Sequence, residues 1–220
     1  MNKRDELRVT YDTVAADYAD AFFTELERKP FDRVLLDRFA ELMRGRGNVL
    51  DVGCGPGHVG RYLAERDIPV SGFDLSEEMV AIASRLNPRI SFTQGTMLAL
   101  PVADATLASI VSFYAIIHLA RAEASLALRE FYRILQPDGY LLLAFHGGEG
   151  EVHAENWFGH DVNVTATLFT GDEMANYARA VGFQVVELLE RAPYEFEHQT
   201  RRVYLLVRKL EQPDIMPPRG

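Results

Sequence analysis

Apolar residues recur at helical spacing over residues 7–45. Val14, Tyr18, Phe22 and Phe23 fall on one face and Phe31, Leu35, Phe39 and Leu42 on another, with Pro30 between the two groups. The pattern predicts two N-terminal helices, the second closed by Gly45 and Gly47. The period then changes. Short apolar runs at 48–52, 70–74, 90–94, 107–113 and 140–145 alternate with amphipathic stretches at 58–66, 76–86 and 121–135. Ser76 followed by Glu77 and Glu78 reads as a helix start, and Pro137-Asp138-Gly139 as a stop. Beyond 146 the alternation loosens into a Gly- and His-containing stretch, read as a loop. A helix at 171–181 ends at Gly182, and two strand-like runs follow, 183–189 and 203–207. Strands that are apolar along their length and alternate with helices bury both faces of a parallel sheet. The expectation is a doubly wound, mainly parallel α/β fold with a seven-stranded sheet, helices on both faces, an antiparallel C-terminal strand and two N-terminal helices beside it. The tail 211–220, with three prolines and no periodicity, is expected to be flexible.

The 220 residues and 48% hydrophobic content suit one filled core. A net charge of −9 opposes a polyanionic partner, so nucleic acid is not expected to bind. Cys54, the one cysteine, excludes an intrachain disulfide and suits a reducing compartment. The N-terminal MNKRDELRVTYDTVAADYAD places charges where an export signal needs an apolar run. A cytoplasmic protein without membrane contact, monomeric or homodimeric, is the expectation.

In an open parallel sheet the ligand lies beyond the carboxyl ends of the strands, where strand order reverses. The loop after the first strand is Gly53-Cys54-Gly55-Pro56-Gly57, free of side chains that would keep a nucleotide from the main chain. Asp74 ends the next strand 17 residues beyond Gly57, placed to grip two ribose hydroxyls. Together they predict an adenosine-containing ligand. Glycines 55, 57 and 60 also satisfy the GxGxxG pattern, so a dinucleotide oxidoreductase is the competing reading. Asp51 weighs against it. A carboxylate next to the loop suits a ligand with an α-amino group and a sulfonium better than a pyrophosphate. Cys54 has no neighbouring base and reads as a small loop residue.

Three segments, VLDVGCGPG at 49–57, GFDLSEEMV at 72–80 and LREFYRILQPDGYLLLAF at 128–145, resemble the class I S-adenosylmethionine-dependent methyltransferases of small-molecule type. The resemblance covers about residues 48–146. It implies that Asp51, Gly53, Gly55 and Gly57 wrap the methionine part of S-adenosylmethionine and that Asp74 holds the ribose, with Cys54, His58, Leu75 and Met79 also expected among the cofactor-binding residues. It also implies that Gly95, Thr96 and Met97 meet the adenine, Thr96 standing where many members carry Asp. Phe113 and Tyr114 would flank the methyl group, and Tyr11 and Tyr18, in YDTVAADY, resemble a lid over the cofactor. On this reading 1–210 form one domain: a lid at 1–46, a cofactor-binding core at 47–146, and a substrate loop with C-terminal strands at 147–210.

Methyl transfer from a sulfonium is an in-line displacement that needs positioning and a dry pocket more than covalent help. A hydroxyl or ammonium acceptor must also lose a proton, for which His118 and His146 are the candidate bases. Tyr114, Ile117, Trp157 and Tyr194 are expected to meet a small-molecule acceptor. His146, His153 and His160 recur every seven residues near Glu149, Glu151 and Glu155, but that spacing matches no compact zinc pattern and no metal is expected. A macromolecular methyltransferase and a non-catalytic nucleotide-binding relative remain the other readings.

Overall fold

The first predicted helix begins earlier than its pattern in the computed structural model, which describes residues 2–210. Helix α1 spans Lys3–Phe22, and the Asn2 side chain accepts from Asp5 N at its start. A 3-10 turn, Glu25–Arg28, leads into α2 (Pro30–Met43), where Pro30 fills a first-turn position that has no intrahelical N–H bond to lose. The expected alternation follows: β1 (Val49–Val52), α3 (His58–Ala64), β2 (Val70–Asp74), α4 (Glu77–Leu86), β3 (Ser91–Gln94), β4 (Leu107–Phe113) and α5 (Arg121–Ile134). Ser76 caps α4 by accepting from Met79 N.

Strand β5 runs Leu135–Gly147, longer than its apolar run, because Leu135 already pairs with Leu107 before the register breaks. Asp138, at φ 64°, lies in that irregular stretch, so Pro137-Asp138-Gly139 kinks the strand's start. After α6 (Gly171–Val181) come β8 (Phe183–Arg191) and β9 (Arg201–Lys209), each two or more residues longer than its apolar centre. The sheet order is β3-β2-β1-β4-β5-β9-β8, parallel except that β9 runs against both neighbours. This is the seven-stranded architecture expected, with strand order reversing between β1 and β4. Neighbouring residues on the central strands feed opposite layers: Ile110 and Leu141 pack with Phe131 under α5, while Val111 and Leu142 pack with Leu36 and Phe39 under α2. That is why these strands read as unbroken apolar runs.

The stretch 147–170 is the main departure. It holds an antiparallel hairpin, β6 (Glu151–Trp157) and β7 (His160–Thr167), outside the main sheet. The two-residue connection Phe158-Gly159 has φ of 53° and 82°, the positive pair that a tight hairpin turn requires. Val152, Ala154, Val164 and Ala166 face inward and alternate with polar residues, a period-2 signal too weak in hydrophobicity to stand out. The hairpin is held to its surroundings by two hydroxyls: Thr10 donates to Asn163 O at 3.0 Å and Thr167 to Leu119 O at 2.9 Å. Among the described residues no helix is long and apolar enough to cross a membrane. The expected tail, 211–220, lies outside the described residues.

Candidate active site

The ends of β1, β2 and β4 turn away from one another at the point where strand order reverses, and the glycine loop fills the gap. Gly53 has φ +71°, and a Cβ there would lie 2.1 Å from the Ala115 Cβ, so backbone is the only wall that fits. Gly53 N and Cys54 N both donate to Phe73 O, tying the loop to β2. Asp74 fixes the loop from the other side: its Oδ2 accepts from Gly55 N at 2.8 Å and its Oδ1 from Ser76 N at 2.9 Å. Burial holds its carboxyl above the ordinary range against those bonds.

A first chamber forms above these strand ends. Gly53, Gly55, Asp74, Leu75, Gly95, Thr96, Met97 and Phe113 line it, as do Tyr11 and Tyr18 from α1. Sequence reasoning missed Phe73 in its floor and Lys3, Arg4 and Leu7 at its rim, which only the docking of α1 brings there. It also missed Asp12, whose Oδ1 accepts from Ser76 Oγ at 2.6 Å and ties α1 to the start of α4. Next to Tyr11 in sequence, Asp12 looked like an ordinary exposed helix position.

Five expected cofactor contacts lie outside the lining. Asp51 is 1% exposed and accepts from Gly60 N at 3.0 Å, one layer beneath the loop, where burial pushes its carboxyl up to about 7. Cys54 is buried and its thiol pushed up by the same cause. Gly57 starts α3 in the left-handed region, and His58 turns towards Glu25, with Nε2 and Oε1 3.2 Å apart. Met79 packs under Ala15 and Ala19 of the lid.

A second chamber of about 480 Å³ opens beside the first, and Tyr11, Tyr18, Tyr114 and His118 line both. These four residues form a neck. Tyr114, the residue after β4, has φ 57°, a strained backbone at the strand end where its ring lines the site. His118 Nδ1 lies 3.1 Å from Thr165 O, an acceptor only, so Nδ1 carries the proton and Nε2 accepts from the Tyr11 hydroxyl at 2.6 Å. Burial pushes the His118 imidazole down to about 4 and the Tyr11 phenol well up, so both are neutral at pH 7. Trp157 meets Tyr11 and Tyr18 edge-on, each at 5.5 Å between centroids, and joins the hairpin to the lid.

The walls of this chamber differ. The hairpin, Ile117 and Trp157 make an apolar roof. Opposite stand His146, Thr200 and Arg202 from β5, the β8–β9 connection and β9, with Lys29 and Glu25 near the 3-10 turn. Arg202 donates to Thr200 Oγ1 at 2.8 Å, and that hydroxyl lies 2.7 Å from His146 Nδ1. The Thr200 hydroxyl has one proton, and Nδ1 is the acceptor it meets among its hydrogen bonds, so we assign Thr200 as donor to Nδ1 and Nε2 as the protonated nitrogen of His146. Burial, then Arg202, pushes this imidazole down to about 3. Tyr194 is not in the lining. Its hydroxyl accepts from Phe31 N at 3.2 Å and its ring stacks on Phe196, which takes the lining place two residues on. The histidines of the 146–160 stretch also diverge: His153 bonds Thr165 Oγ1 on the hairpin and His160 pairs with Asp17 of the lid.

Comparison with known proteins matches residues 49–139 to the methyltransferase domain family. A malonyl-[acyl-carrier protein] O-methyltransferase of Pectobacterium atrosepticum is 35% identical over 121 residues, 49% of this chain and 47% of the relative. A dTDP-3-amino-3,6-dideoxy-alpha-D-glucopyranose N,N-dimethyltransferase of Streptomyces fradiae is 37% identical over 97 residues, 44% of this chain and 38% of the relative. The chain thus spans about half the length, or less, of these curated relatives. Among solved structures, the fold matches a Burkholderia thailandensis 1,6-didemethyltoxoflavin-N1-methyltransferase with 1,6-didemethyltoxoflavin and S-adenosylhomocysteine bound. The TM-score is 0.70 at 20% identity, over 94% of this chain and 88% of the other.

Proposed function

We propose that this protein, whose residues 49–139 match the methyltransferase domain family, transfers a methyl group from S-adenosylmethionine to an oxygen or nitrogen of a small molecule. The observation that carries the reading is the pair of chambers joined at a four-residue neck. The residues suit the cofactor: backbone where a Cβ would collide, a carboxylate at the ribose position, and Thr96, Met97 and Leu75 beside the adenine position. When bound, the sulfonium supplies an electrophilic methyl group.

Asp74 holds the ribose hydroxyls, and the glycine loop, whose N–H groups are tied to Phe73 O, Asp74 and Cys54 O, leaves room against its main chain for the methionine end. Tyr11, Tyr18 and Tyr114 surround the reacting atoms with rings, and with Trp157 above they exclude water. His118 reaches the acceptor only through Tyr11, because Thr165 O and the Tyr11 hydroxyl occupy its two nitrogens. Its role is to hold the Tyr11 hydroxyl in the neck with an oxygen lone pair free towards the acceptor. His146, on the far side of Tyr114, offers a donor to the acceptor rather than a base.

Titration calorimetry with S-adenosylhomocysteine tests the reading. Micromolar binding is expected, weakened about 100-fold in Asp74→Asn, which loses charge-assisted bonds to two hydroxyls worth about 3 kcal/mol together. Binding of NAD in place of S-adenosylhomocysteine would overturn it.

A further inference from the structure

The polar wall of the second chamber carries more positive than negative charge, and the buried carboxylates there are already spoken for. Glu197, with a side chain 2% exposed, receives Arg191 at 2.6 Å, Lys29 at 3.4 Å and Arg202 at 3.5 Å. Glu25 is held by Lys29 at 2.7 Å and by His58. Asp32, fully buried, shares Arg191. Arg28 adds a further cation at the rim, its guanidinium 3.9 Å from the Phe196 ring centre, with His198 exposed beside it. The lining cations Arg28, Lys29 and Arg202 therefore stand with two lining carboxylates, Glu25 and Glu197, each of which already has a cationic partner. His146 lines this wall with its Nδ1 held by Thr200, and its ring lies 5.2 Å from Tyr114 in the neck.

A second feature concerns bases. The neck holds no buried group free to take a proton: the Tyr11 hydroxyl is bonded to His118, His118 has both nitrogens engaged, and Tyr18 and Tyr114 are pushed above the ordinary phenol range by burial. An acceptor that is already ionised needs none.

We propose that the acceptor is an amphipathic carboxylic acid, its carboxylate against His146 Nε2–H in the field of Lys29 and Arg202 and its apolar body under the β6–β7 hairpin, and that the product is its methyl ester. The proposal rests on the methyltransferase reading and names its substrate class. A carboxylate oxygen lone pair forms the new O–CH3 bond while the S–CH3 bonding pair returns to sulfur. A carboxylate and a sulfonium become a neutral ester and a neutral thioether, and no proton moves. A solvent-poor chamber favours a step in which opposite charges annihilate.

The test uses octanoate and 3-phenylpropanoate against their primary amides and alcohols, with the full chain saturated in S-adenosylhomocysteine for calorimetry and with deuteromethyl cofactor for product mass. The acids are expected to bind at least tenfold tighter than the amides and to yield labelled methyl esters at a rate flat between pH 6 and 9. His146→Phe raises the KM for acids about tenfold and leaves S-adenosylhomocysteine affinity unchanged, while His146→Gln, which keeps an N–H donor, recovers much of it. Equal binding of acid and amide, or turnover of the alcohols with a rate rising with pH, overturns the proposal but leaves the methyltransferase reading standing. So does a His146→Phe protein that loses cofactor affinity instead, which would assign the cationic wall to the cofactor's own carboxylate. Failure of the wild type to bind S-adenosylhomocysteine removes the parent reading as well.

Discussion

The two chambers share a neck but are built on opposite plans. The first is centred on the glycine loop and the strand ends of β1, β2 and β4, and its carboxylate, Asp74, is held by N–H groups within 19 residues of it. The second is made of side chains drawn from α1, the 3-10 turn, β5, the hairpin and the segment 196–202. Where glycine main chain forms the wall, as at Gly53, little change is tolerated because an added Cβ has no room. A side-chain site adapts its ligand by substitution while the fold stays intact.

Gly53→Ala is the sharpest way to break that contrast. The 2.1 Å approach to Ala115 and the positive φ together cost about 2–4 kcal/mol, lowering Tm by on the order of 10 °C and removing S-adenosylhomocysteine binding in the same variant. Trp157→Ala on the other side loses two edge-on ring contacts, about 1 kcal/mol each, and leaves cofactor affinity within about threefold. Melting curves and calorimetry on the pair read both quantities.

Acid separates the chambers next. His118 and His146 titrate near 4 and 3 when folded, below their unfolded value, so the unfolded chain takes up protons first as pH falls. Their stabilisation is complete above about pH 6.5 and is lost on the way down to pH 4 and below. His118 alone accounts for roughly 2 kcal/mol between pH 7.5 and 5. Urea unfolding of the wild type and His118→Asn at the two pH values measures it, and a variant with the wild-type pH slope would contradict the assignment.

Smaller effects sharpen the neck and the roof. Tyr11→Phe leaves His118 Nε2 without its donor, and kcat is expected to fall about tenfold with S-adenosylhomocysteine affinity changed less than threefold. His160→Ala removes a half-exposed pair with Asp17 and shifts stability by less than about 0.5 kcal/mol in urea titrations.

The sequence by itself determined the sheet, because unbroken apolar runs such as 107–113 and 140–145 have one stable use, burial on both faces. It determined the first chamber too, since glycine loop, strand end and carboxylate are neighbours in the chain. Asp51 and His58 stand in that same motif, yet only packing decides that they turn to Gly60 and Glu25 beneath the loop. The hairpin went unread because its inward residues, Val152, Ala154, Val164 and Ala166, are small and give the period of two little hydrophobic contrast. The Tyr11–His118–Thr165 chain and the partners of Glu197 join residues 5 to more than 160 positions apart. Such contacts leave no local pattern in a single sequence, because they exist only once the helices, the hairpin and the last strands have docked on one sheet edge.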